Sequence, residues 1–152
     1  MKKIMTSLFA LAAVFCASAA VPTYTVNPAS ETELASKTQE IVFTFSEPVR
    51  VDSVDFVGGQ RFNAVTTRVA TGMTDPSTTV TVNAVDAYWG EANGGEFLLE
   101  VYLPAIYDAN GDQIMETGTD PDTQEKYSYP FTAVAYYTTP DTTPAEYLRY
   151  EP

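Results

Sequence analysis

A period-two alternation of apolar and polar residues, repeated along most of the chain, constrains this sequence more than any other feature. Ile41, Phe43 and Phe45 alternate with Val42 and Thr44, and Val80 and Val82 alternate with Thr79, Thr81 and Asn83. Phe97, Leu99, Val101 and Leu103 alternate with Leu98, Glu100 and Tyr102, and Tyr129, Phe131, Ala133, Ala135 and Tyr137 alternate with Thr132, Val134 and Tyr136. Side chains two apart on a strand point the same way, so each run offers one face to a core. Turn-forming residues separate the runs: Glu47-Pro48, Gly58-Gly59, Thr74-Asp75-Pro76, Glu91 to Gly95, Asn110-Gly111 and Asp120-Pro121. The pattern predicts about seven strands, near 22–28, 40–46, 49–57, 61–70, 78–85, 96–103 and 126–138, with a small hairpin arm near 105–117. Short strands with turns between them make an all-β chain, read as an antiparallel β-sandwich. Glu47-Pro48 is expected to end a strand, because proline cannot donate to the ladder and restricts the residue before it. Val49 would then open the next strand as the chain crosses between sheets.

The N-terminus has the residue order of an export signal. Lys2 and Lys3 precede an apolar run from Ile4 to Phe15, and the small residues Ala17-Ser18-Ala19-Ala20 follow. The run is shorter than the roughly 20 residues that a membrane-spanning helix needs. Cleavage is expected after Ala19 or Ala20, and bulky Phe15 before Cys16 argues against a lipid anchor on that cysteine. The expected organisation is a signal peptide over 1–20, one sandwich over 21–138 and a polar, proline-rich tail over 139–152, with the product in the periplasm or outside the cell. Removing residues 1–20 takes away Lys2, Lys3 and the single cysteine and moves the formal charge from −12 to −14. Such a domain holds itself together by packing, without disulfides.

Composition removes whole classes of function. With no histidine, a Ser-His-Asp triad or a histidine-bearing zinc or copper site is impossible. Twenty acidic residues against eight basic ones argue against nucleic acid, which calls for clustered Lys and Arg. No serine, lysine or cysteine has the setting of a nucleophile, and no glycine-rich phosphate loop is visible.

Two segments resemble a known family. Pro28, then Ile41-Val42-Phe43-Thr44-Phe45-Ser46-Glu47-Pro48-Val49, is similar to the opening of bacterial Ig-like domains of the surface-layer and copper-resistance type. Phe97 to Val101, the Ala105-Ile106-Tyr107-Asp108-Ala109-Asn110-Gly111-Asp112 turn and Tyr129-Pro130-Phe131 resemble the late strands of that superfamily. The resemblance implies an Ig-like antiparallel β-sandwich. It does not carry the copper function, whose ligands are histidines, and it leaves residues 50–95 unmatched.

Two constellations are candidate sites. Asp108, Asn110 and Asp112 match positions 1, 3 and 5 of a calcium loop, but Gln113 and Thr119 stand where that loop has Gly and Glu, and turn chemistry is the competing reading. Calcium is thus the one cofactor the chain suggests, in a looser site than an EF-hand. Tyr88, Trp89 and Glu91 could stack on a sugar ring or hold a partner, or else cap the core. The combined expectation is a non-catalytic interaction or structural module meeting a protein or glycan at the cell envelope. The alternative is a carbohydrate- or calcium-binding accessory module.

Overall fold

The computed structural model describes residues 20–36, 39–59, 65–83 and 98–138. Among them run eleven strands: β1 (Tyr24–Asn27), β2 (Thr32–Glu33), β3 (Glu40–Val51), β4 (Ser53–Gly59), β5 (Val65–Ala70), β6 (Ser77–Asn83), β7 (Leu98–Leu103), β8 (Ile106–Tyr107), β9 (Met115–Thr119), β10 (Lys126–Pro130) and β11 (Ala133–Thr138). One sheet has the order β1-β3-β6, with β8 added at the far end of β3; the other has the order β2-β11-β7-β4-β5. With β1, β3 and β6 on one side and β4, β7 and β11 on the other, this is the strand order of an immunoglobulin-type sandwich. β9 and β10 pair only with each other.

The core follows the alternation. Ile41, Phe43, Phe45, Val49 and Val51 from β3 and Val80 and Val82 from β6 are buried against Val54 and Phe56 of β4, Leu99, Val101 and Leu103 of β7, and Ala133, Ala135 and Tyr137 of β11. Leu34, Ile106, Ile114 and Phe131 close its ends. Tyr24 lies against this aromatic cluster, its ring centroid 6.0 Å from Phe43, 5.7 Å from Phe45 and 6.4 Å from Phe131.

Several expectations need correction. Glu47-Pro48 does not end a strand: β3 runs through it to Val51, and the chain changes sheets at Asp52. Between Thr44↔Thr79 and Val49↔Ser77, four residues of β3 face Thr78 alone. This bulge leaves exposed Pro48 where no ladder N–H is required. The expected strand over 126–138 is two strands, and Tyr129 does not join the inner face of Ala133 and Ala135, because the chain leaves the hairpin for the main sheet at Phe131. The hairpin arm lies over 115–130 instead of 105–117. Among the described residues the pairing is antiparallel except for β2, which runs parallel to β11 at Tyr137↔Thr32 and Thr138↔Glu33.

The outer edge of β11 is closed by side chains as well as by β2. The Tyr24 hydroxyl donates to the Val134 carbonyl (3.2 Å) and accepts from the Val134 N–H (3.1 Å), joining the two sheets. Ser30 Oγ accepts from the Tyr136 N–H (2.9 Å), Glu31 N–H donates to the Tyr136 carbonyl (2.6 Å) and Leu34 N–H to the Thr138 carbonyl (2.9 Å). Glu31 reaches that carbonyl with φ at 67°, in the left-handed region. An edge whose backbone groups are occupied offers no template for another strand. On the outer face of the same sheet, Asp55 is 6% exposed and takes both forks of Arg68, at 2.6 and 2.7 Å. Asp55 raises the already high pKa of Arg68 by this hydrogen bond and by its charge, so the guanidinium stays charged.

Candidate interaction site

The connection from β7 to β11 carries the remaining described strands, β8, β9 and β10. It has two parts. In the first, β8 pairs with the end of β3 through Arg50↔Tyr107 and Val51↔Ile106. The Arg50 guanidinium lies 4.9 Å from the centre of the Tyr107 ring and pairs with the Asp52 carboxylate. The chain then turns at Asp108 to Asp112. Asp108 Oδ1 accepts from the N–H groups of Asn110 (2.8 Å) and Asp112 (3.0 Å), and Gly111 supplies φ of 88°. This is an aspartate-held turn.

The calcium candidates therefore meet as follows. Asp108 and Asn110 come together, but one Asp108 carboxylate oxygen is committed to two backbone donors. Glu47, which sequence reasoning did not connect with them, lines the same depression of about 260 Å³. Asp112 contributes its backbone to the turn. Among the described residues no three acidic or cysteine side chains converge as a metal-holding group. A calcium module with Kd of 10⁻⁴–10⁻³ M would gain roughly 1.4–2.7 kcal/mol at about 10 mM ion. We expect calcium and magnesium at that concentration to raise the melting temperature equally, by screening the acidic surface. A rise specific to calcium, abolished by Asp108→Asn, would show a site.

The second part is the β9–β10 hairpin. Its root is firm: Phe131 N–H donates to the Ile114 carbonyl at 2.8 Å, Ile114 N–H to the Ile106 carbonyl at 2.9 Å, and both side chains are buried. Beyond the root every residue of both strands is exposed except half-buried Gly118. At about 3.3 Å per residue the five-residue strands make an arm roughly 16 Å long. Its tip is held by Asp120, whose Oδ1 accepts from Asp122 N–H (2.8 Å) and Thr123 N–H (3.0 Å), while Gln124 turns the chain at φ 61°. The Thr123 and Asp122 N–H groups hold the Asp120 carboxyl below the usual range, so it stays charged.

One face of the arm is aromatic and acidic. Tyr127 and Tyr129 stack with centroids 5.5 Å apart and planes 23° from parallel, and they are 36% and 63% exposed. Tyr127 lies across its cross-strand partner Gly118, where a Cβ would collide with the phenol ring. Glycine at 118 thus seats the ring, as aromatic residues do over strand glycines. Glu116 is the cross-strand partner of Tyr129 and so shares the face of the two rings, and Glu125 lies two residues before Tyr127, between the turn and the strand. Sequence reading did not single out Tyr127, and it set Tyr129 on a core-facing run. The lack of apolar residues on either face of Glu116-Thr117-Gly118-Thr119 is the signal that marks a free-standing hairpin.

Tyr88, Trp89 and Glu91 lie outside the described residues. Among the described residues no helix is long and apolar enough to cross a membrane. No family model, curated protein or solved structure matches this chain.

Proposed function

We propose that this chain is an exported, non-catalytic Ig-like interaction module of the periplasm or cell exterior, and that the β9–β10 arm is its contact surface. The observation that carries this reading is the arm itself. It adds nothing to the core, yet holds two stacked tyrosines in solvent on a firmly anchored root. Exposed aromatics in an ordered setting are the residues that dominate interfaces. The export-type N-terminus and the likeness of the Phe-Ser-Glu-Pro-Val segment to surface-layer Ig-like domains support the compartment. The missing histidine and the absence of a nucleophile setting support a role without catalysis. A glycan is the alternative occupant, favoured by the openness of Tyr129, since a sugar ring stacks on a tyrosine face.

The test is surface plasmon resonance on the purified exported chain against purified envelope glycans and peptides of varied charge. Wild type should bind at least one of them, and Tyr127→Ala with Tyr129→Ala should abolish that binding while leaving the melting temperature nearly unchanged. Binding that ignores the double substitution throughout would remove the arm from the function. Export itself has a simple check. Intact mass of the secreted product should correspond to loss of residues 1–19 or 1–20 with no added acyl chain, and retention of Met1 would refute processing.

A further inference from the structure

Resting on that reading, we infer that the arm receives arginine side chains from a basic segment of a partner protein, stacked on Tyr127 and Tyr129 and paired with the carboxylates beside them. Three observations converge. First, Tyr127 and Tyr129 lie exposed on one face of the arm together with Glu116, the cross-strand partner of Tyr129, and the tip carries ionised Asp120. Second, among the described residues no Lys or Arg forms an ion pair with any carboxylate from Asp108 to Glu125, although Asp52 and Asp55 elsewhere each have an arginine. Among the described residues the arm therefore presents an anionic and aromatic face, and its one basic side chain, Lys126, is on the opposite face of the hairpin from the rings. Third, the same chain shows the complementary geometry once already: Arg50 lies over the Tyr107 ring and pairs with Asp52 at the same time. A guanidinium uses a ring face and a carboxylate together, which a compact ammonium does less well. A neutral sugar would use the rings and leave the charge idle.

The charge of the chain would attract any polycation, so the experiment separates stacking from simple attraction. Hexa-arginine and hexa-lysine peptides are titrated against the full exported chain by calorimetry, with a neutral gluco-oligosaccharide alongside. The inference expects hexa-arginine to bind at least about fivefold tighter than hexa-lysine. Tyr127→Ala with Tyr129→Ala should bring the two peptides level, and Glu116→Gln with Glu125→Gln should weaken hexa-arginine about tenfold or more. Gly118→Val, which pushes Tyr127 from its seat while keeping both rings, should weaken hexa-arginine with little effect on hexa-lysine. Equal affinity for the two peptides, or arginine binding indifferent to the tyrosines, overturns the inference. Oligosaccharide binding lost with the tyrosines also overturns it, but leaves the arm as the contact surface. If no ligand depends on the tyrosines, both the inference and the functional reading fail.

Discussion

Phe45→Ala is expected to destabilise the domain by about 3–5 kcal/mol, a large part of the stability of a chain this size. The ring is 3% exposed, packs beside Tyr24 and faces the opposite sheet from the middle of β3. Its loss forfeits burial and leaves a cavity that a sandwich between two hydrogen-bonded sheets cannot collapse. Thr81→Ala, on the exposed side of β6, should change stability by no more than about 0.5 kcal/mol. Denaturant titration of both variants decides the matter, and equal midpoints would mean that the inner and outer faces are exchanged. With the single cysteine in the segment expected to be cleaved, a reducing agent should move neither midpoint.

Raising the pH from about 10 to 12 should cost the domain up to about 2–3 kcal/mol through Tyr137 alone. Its side chain is buried in the core with the hydroxyl donating to the Pro28 carbonyl at 2.7 Å, and burial pushes its pKa up to about 12. In the unfolded chain a tyrosine ionises near pH 10. Below that pH both states hold the proton and this contribution is complete. Above it the unfolded state releases the proton while the native state keeps it, so stability falls until the folded pKa is reached. Tyr137→Phe should remove this share of the alkaline loss, at the expense of roughly 1 kcal/mol at neutral pH from the carbonyl left without its donor. An unchanged alkaline slope in the variant would show that other groups set it.

Much of the sandwich was legible because strand alternation depends on nearest neighbours. Phe43, Phe45, Leu99, Val101 and Phe131 fall inside as their spacing predicts. What was not legible depends on the partner strand. Pro48 reads as a stop until the opposite strand is known to have one residue against four, which turns a stop into a bulge. The parallel seat of Thr32 and Glu33 rests on Tyr137 and Thr138, more than a hundred residues away. Tyr129 shares the parity of Ala133, and period two cannot tell a strand in a sheet from one in a free hairpin; the bend at Phe131 decides it. The aspartates at 108 and 120 carried the chemistry of turns, as their Asn-Gly and Pro contexts allow, and each holds backbone N–H groups with a single oxygen.

The bond between Phe131 N–H and the Ile114 carbonyl makes the arm separable from the domain that bears it. Everything beyond this bond can change without altering which residues reach the core, because Ile114 and Phe131 are already fixed below it. Lengthening or shortening both strands by two residues preserves which side each residue faces, whereas a one-residue change in one strand exchanges the sides. The hairpin is thus a natural grafting position: foreign contact residues placed between 114 and 131 would be displayed about 16 Å from the sandwich, and variation within the arm could retarget the module while its stability stays with the two sheets.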